Sequence, residues 1–321
     1  MLQLRRHAGL HASASAAGCC QLKHISALHR LPVAFVPAPT RVAASAEQAA
    51  ESMAALASAD DALTPADRAV LAELRTQRTL TYDTQEHDWR SPVVDAMGVE
   101  ALETLEPATD GRSRGGSRGA GAPWLRKWTT RSPDVRERIL AAYLSFLQKV
   151  VLPHVREVGA RHGSTLHEGG LVFQREPSFR CHAPSPNPTG RPHCDADYGH
   201  SEFELNVWLP LTECGGSNSL WCESAPGVGD YAPFSVRYGE AVLFWGNRCR
   251  HYTVANDSGT TRVSFDFRFL FRRLYDPHME NIYGGPTAFL LGGYFDAIDG
   301  DGALDADISR PKGHGVLYRR G

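Results

Sequence analysis

The chain lacks any run approaching 18 apolar residues, so no segment can cross a membrane as a helix. It lacks C-x-x-C pairs and any regular cysteine spacing. Its seven cysteines, at 19, 20, 181, 194, 214, 222 and 249, are odd in number and read as free thiols of a reducing compartment. It also lacks a surplus of positive charge. Lys and Arg total 34 against 36 Asp and Glu, a formal net charge of -2, which argues against a nucleic-acid partner held by a basic surface. What remains is ordinary: 321 residues, 42% hydrophobic and 22% charged, suit one large soluble domain or two small ones.

One absence is local. Residues 1–46 contain no Asp or Glu but carry Arg5, Arg6, Lys23, Arg30 and Arg41. An acid-free, Ala/Ser-rich, Arg-containing start is the composition of an organelle transit peptide, for which a chloroplast is favoured over a mitochondrion. The alternative is a disordered tail on a cytoplasmic protein. Residues 47–321 then hold 29 basic against 36 acidic side chains, about -7.

Residues 47–163 read as a helical region. Thr64-Pro65-Ala66-Asp67 has the form of a capped helix start, which Leu71, Leu74 and Arg78 would continue. Residues 110–123, DGRSRGGSRGAGAP, read as a flexible Gly/Arg/Ser insertion or lid. A helix is predicted over 133–158, capped by Ser132, with Val135, Ile139, Tyr143, Phe146, Leu147 and Val150 on one face. Pro153 should kink it and Gly159 end it. From 164 to 275 the pattern changes to short runs rich in Val, Phe, Trp and Thr, at 170–175, 178–183, 203–211, 218–223, 241–246, 249–255 and 261–271. The fold class expected is mainly β with a helical buttress around a jelly-roll core, followed by a C-terminal extension over 276–321.

The residues that carry chemistry begin at His193-Cys194-Asp195. In an extended segment the first and third side chains share a face, so His193 and Asp195 can offer a nitrogen and a carboxylate oxygen to one ion. His251 lies 56 positions after Asp195 in another strand-like segment. Two histidines and a carboxylate make the facial triad of non-haem iron oxygenases, which leaves neighbouring positions open. Eleven residues on, Arg262-Val263-Ser264 repeats the one-face spacing, with a fork and a hydroxyl suited to a carboxylate.

With H-x-D, a later His and then R-x-S in place, the chain resembles the Fe(II)/2-oxoglutarate-dependent dioxygenases over roughly residues 165–272. The segments FQREPSFRCHAP (173–184), HCDADYGHSEFELNVWLPLT (193–212) and RHYTVANDSGTTRVSFDFRF (250–269) resemble a narrower group of oxygenases associated with streptomycin-type aminoglycoside gene clusters, and more distantly phytanoyl-CoA hydroxylase-like proteins. The resemblance implies a double-stranded β-helix (a cupin-like jelly roll), with Fe(II) held by His193, Asp195 and His251. It implies 2-oxoglutarate anchored by Arg262 with help from Ser264, O2 as the second cosubstrate, and a polar small molecule hydroxylated as 2-oxoglutarate leaves as succinate and CO2. Halogenating members of that superfamily carry Ala or Gly at the carboxylate position; Asp195 is intact, so oxygenation is expected. A metal- and 2-oxoglutarate-binding protein without catalysis, and a zinc hydrolase, stay open as alternatives.

Strand alternation adds pocket candidates, and the resemblance implies that the strand of Arg180 and His182 borders the cosubstrate pocket. His182 and Asn206 are candidates for cosubstrate contact. Arg180 and Trp208 are candidates for the substrate, as are Tyr198 on the loop after the motif and Arg250 beside His251. Asp266 is expected to pair with an arginine, and His200 to be solvated. The Asp-rich run at 296–307 fails the EF-hand pattern and reads as a solvated loop.

Overall fold

The computed structural model describes residues 63–106, 133–277 and 289–308. The expected transit segment, the loop 110–123 and the cap Ser132 lie outside the described residues.

The first helix, α1 (Pro65–Leu74), starts where the sequence places it. The Thr64 hydroxyl accepts from the Asp67 N–H at 3.1 Å, and the Asp67 carboxylate accepts from the Thr64 N–H at 3.2 Å. Arg78 does not continue it: the helix ends at Leu74 and Arg78 opens strand β1 (Arg78–Thr81). After α2 (Arg90–Met97), the predicted long helix appears as α3 (Pro133–Phe146) and α4 (Leu152–His162), joined by one widened π-turn at Leu147–Val151. Pro153 has no N–H to give, and the widened turn just before it absorbs the misfit. The stop is Gly163, left-handed at φ 67°, rather than Gly159. Gly159 serves a close approach instead, since a Cβ there would lie 2.6 Å from Nδ1 of His167.

The strands are β2 (Leu171–Gln174), β3 (Ser178–His182), β4 (Leu205–Pro210), β5 (Trp221–Cys222), β6 (Ala232–Pro233), β7 (Glu240–Phe244), β8 (His251–Tyr252), β9 (Arg262–Phe271) and β10 (Phe295–Ile298). All pairings are antiparallel. The large sheet runs β1-β7-β4-β9-β2-β10, with β3 also on β9; the small one runs β6-β5-β8. The large sheet thus reaches past 164–275 at both ends, taking in β1 and β10. Asp296, expected on a solvated loop, is a buried residue of β10 facing Arg175 at 3.6 Å.

Alternation along β4 and β9 assigns the two faces of the large sheet. Leu205, Val207 and Leu209, with Val263, Phe265, Phe267 and Phe269, face the helices and are fully enclosed. There Tyr143 meets Phe267 at 4.7 Å between ring centres and Trp89 meets Phe265 at 5.3 Å. Each such ring contributes about 1.5–3 kcal/mol by leaving water. The other face looks toward the small sheet, where Trp208, Cys222, Phe234, Val242, Phe244 and Cys249 form a second apolar cluster. Two antiparallel sheets closed over that cluster make the expected double-stranded β-helix with its helical buttress. Among the described residues no helix is long and apolar enough to cross a membrane.

Candidate metal centre

The chain between β3 and β4 is pinned to the segment around β8 by bridges at Ser185 and His193. His193 bridges the first residue of β8, with the His193 and His251 backbones exchanging hydrogen bonds of 3.1 and 2.9 Å. The extended backbone stops at Cys194, and Asp195 begins a 3-10 turn (Asp195–Tyr198) fastened by its N–H to the Gly246 carbonyl at 2.9 Å. These two anchors bring His193, Asp195 and His251 together: one potential ligand atom from each lies within 4.8 Å of the others.

The ring orientation follows from hydrogen bonding. Nδ1 of His193 lies 2.7 Å from the Arg191 carbonyl, and Nδ1 of His251 lies 3.0 Å from that of Cys249. A carbonyl only accepts, so both Nδ1 atoms carry the proton and both Nε2 atoms present a lone pair. Those Nε2 atoms lie 3.9 and 3.8 Å from Oδ1 of Asp195. Across an ion with ligand bonds of about 2.1 Å, donor atoms stand at most about 4.2 Å apart, a reach that both imidazole–carboxylate separations meet. Burial, and then the neighbouring His251, push His193 down to about 4, leaving its imidazole neutral at physiological pH.

Asp195 is buried, which would raise its carboxyl, but the guanidinium of Arg268 overrides this and holds it well below its ordinary value. Arg268 donates from Nε to Oδ2 at 2.7 Å and from Nη2 to Oδ1 at 2.9 Å. Arg268 is not among the residues expected at the site, although β9 signals it: Arg262, Ser264, Asp266 and Arg268 recur at every second position on one face.

A second group of polar side chains lies on the same inward face. Arg262 is paired in register with His182, and Ser264 with Arg180. Arg262, Ser264 and His182 are buried, at 3%, 0% and 0% exposure. Among the described residues Arg262 Nε and Ser264 Oγ have no hydrogen-bond partner, and His182 has only the Asn218 backbone close to its ring. Burial, and then the Arg262 charge, push His182 down to about 4. Burial also lowers Arg262, and among the described residues no carboxylate forms an ion pair with it. An arginine in that state is costly unless an anion joins it, and a bidentate fork beside a hydroxyl and an imidazole suits a carboxylate.

Other expected contacts fall elsewhere. Asn206 is on the inward face, held between two other segments: its Nδ2 donates to Asp195 Oδ2 at 2.6 Å, and its Oδ1 accepts from the Gly246 N–H at 3.0 Å. Trp208 is buried between the sheets, with the Arg262 guanidinium 5.7 Å from its ring centre. Arg180 is exposed and gripped by Asp266, Nε to Oδ1 at 2.7 Å, which is the arginine pairing expected of Asp266. Tyr198 packs edge-on against His193, with ring centres 5.2 Å apart. Arg250 is half-buried, and its backbone N–H donates to Glu223 at 2.7 Å. His200 is not solvated: its Nδ1 lies 2.8 Å from the buried Glu204 carboxylate, and its ring packs on Phe289 and Tyr294.

No family model matches the chain. Over 219 residues it is 32% identical to the streptomycin biosynthesis protein StrG of Streptomyces griseus, a match covering 68% of this chain and 97% of StrG. The chain belongs to the StrG family. Solved structures to which it is similar include the non-haem monooxygenase ThoJ in its nickel complex, 14% identical at a TM-score of 0.41 over 76% of this chain and 89% of ThoJ. Another is SnoN, a non-haem α-ketoglutarate-dependent epimerase from nogalamycin biosynthesis, 14% identical at 0.39 over 72% of this chain and 98% of SnoN. For the StrG-family chain itself, the two histidines, the carboxylate and the buried Arg262 are the ground for a functional reading.

Proposed function

We propose that this StrG-family protein is a non-haem Fe(II)- and 2-oxoglutarate-dependent oxygenase acting on a polar small molecule. One observation carries the reading: two imidazole lone pairs and a carboxylate converge, and the strand that sends Arg268 to that carboxylate also carries buried Arg262, with which no described carboxylate forms an ion pair. His193, Asp195 and His251 would hold iron through Nε2, Oδ1 and Nε2. Arg262 and Ser264 would bind the far carboxylate of 2-oxoglutarate, with His182 neutral and able to donate one hydrogen bond to it. The inner apolar cluster around Trp208, Phe234 and Phe244 excludes water behind them. When bound, iron with 2-oxoglutarate and O2 supplies the oxidising power for hydroxylation, the cosubstrate leaving as succinate and CO2.

A polar substrate is in keeping with the charged side chains along β9, where Asp266 pairs with Arg180 and Arg268 with Asp195. It is further supported by the relative's name, which refers to the biosynthesis of a natural product. The test is 2-oxoglutarate turnover: protein reconstituted anaerobically with Fe(II) is given O2 and a panel of polar natural-product intermediates, and succinate is measured. Substrate-stimulated succinate formation that is lost on chelation is expected. Tight iron and 2-oxoglutarate binding without turnover across the panel would leave a binding protein. A hydrolytic activity supported by zinc and indifferent to Arg262→Ala would replace the oxygenase reading with a hydrolase.

A further inference from the structure

The two oxygens of Asp195 are treated differently. Oδ2 accepts from Arg268 Nε at 2.7 Å and from Asn206 Nδ2 at 2.6 Å, which uses both its lone-pair directions. Oδ1 accepts once, from Arg268 Nη2 at 2.9 Å, and is the oxygen lying 3.9 and 3.8 Å from the two imidazole Nε2 atoms. Neither holder is free to move. The remaining guanidinium nitrogen of Arg268 reaches Gln174 Oε1 at 3.3 Å and the Tyr294 hydroxyl at 3.5 Å, and that hydroxyl itself donates to Gln174 at 3.0 Å. Asn206 is tied through its Oδ1 to the Gly246 N–H. Arg268 is 8% exposed with each of its three nitrogens engaged, which fixes the plane of its guanidinium.

We propose that Arg268 and Asn206 form a carboxylate cradle that commits Asp195 to bind the ion through Oδ1 alone, Arg268 acting as a positioning residue; this rests on the reading of the site as an iron centre. The cradle has two consequences. A carboxylate pinned at Oδ2 cannot swing round to chelate through both oxygens, so one coordination position is kept for the bidentate cosubstrate. The guanidinium also offsets the carboxylate's charge, so the ion keeps more of its attraction for a dianion.

The test uses Co(II) as a visible-absorbing probe of the full-length protein, with no turnover required. Asp195→Ala empties the cradle but leaves Arg268 and Asn206 facing the two histidines, and Co(II) affinity should fall at least about tenfold. Formate at tens of millimolar should then fill the cradle and restore much of that affinity. In Asp195→Ala/Arg268→Met both buried charges are gone together, a change that folds tolerate far better than removing one partner, and a thermal melt verifies the fold. There formate should restore nothing. Equal rescue in both variants, or rescue in neither although both fold, overturns the cradle. Arg268→Lys, with the charge but not the fork, should alter the Co(II) spectrum of otherwise unchanged protein by freeing Oδ2; an unaltered spectrum also overturns it. Failure of the unmutated protein to bind Co(II) would instead overturn the iron-centre reading, and the cradle with it.

Discussion

Arg262 carries its guanidinium carbon 5.7 Å from the centre of the Trp208 ring, and both side chains are enclosed. The ring face attracts the cation without consuming an N–H, so the charge is tolerated and the donors stay available. Replacing Arg262 with Met should therefore weaken 2-oxoglutarate binding on the order of 100-fold, the usual cost of removing one member of a buried charge pair. Metal affinity should change little. Trp208→Leu should cost a few-fold in the same titration, in keeping with about 1 kcal/mol for a desolvated cation–ring contact. Anaerobic calorimetry with Co(II)-loaded protein reads both values.

Acid should destabilise the metal-free protein partly through His182. Burial, and then Arg262, hold its folded-state value down to about 4, whereas the unfolded imidazole titrates near 6.5. Between those values the unfolded chain binds the extra proton, so stability falls as pH drops through the window. By pH 5 the loss from His182 alone is on the order of 2 kcal/mol. Urea unfolding at pH 7.5 and pH 5 should show a smaller drop in His182→Gln than in the parent. Equal drops would remove His182 as the cause.

Gly246 should be intolerant of a methyl group. A Cβ there would lie 2.7 Å from Cγ of Asn206, whose amide is fixed between Asp195 and the Gly246 N–H. Gly246→Ala is expected to cost about 1–3 kcal/mol of stability, typical of overpacking. It should also weaken Co(II) binding, because relief of the clash displaces the residue that holds the carboxylate. Thermal melts and Co(II) titration measure the two effects separately.

Gly170 tests whether the segment after residue 289 belongs to the fold. Its φ is 84°, and a Cβ would lie 2.0 Å from the Ile298 carbonyl oxygen on β10. Gly170→Ala should destabilise by more than about 3 kcal/mol, since it combines backbone strain with a backbone clash. Limited proteolysis should then cut first near residues 289–308. A variant that melts like the parent would show that β10 is dispensable.

The metal motif was legible because its partners are close in sequence or announced by residue type: H-x-D gives two positions, and the R-x-S spacing identifies the strand beyond His251. The same alternation on β9 pointed to Arg268, but nothing local distinguishes an arginine that grips Asp195 from one that reaches solvent. Asn206 illustrates the same limit from the other side. Its face was readable from the leucines around it, yet its partners, Asp195 and Gly246, come from two other segments. His200 looked solvated because it lies on a loop, and only the return of Phe289 and Tyr294 covers it. The helix stop was misassigned for a comparable reason: Gly159 and Gly163 both could end a helix, and the nearness of His167 to Gly159 is a tertiary fact. Short strands such as β1 and β10 carry too few residues for alternation to register.

Those two short strands have a consequence for how the protein can be divided. β1 comes from before the predicted β core and β10 from after it, and they occupy the two outermost places of the large sheet. A fragment cut to residues 164–275 would leave the outer borders of β7 and β2 without neighbours, two rows of unmet backbone donors and acceptors open to any passing strand. Such a fragment would keep every proposed metal ligand and still be prone to self-association, so the smallest piece that behaves as the parent does must span both flanks.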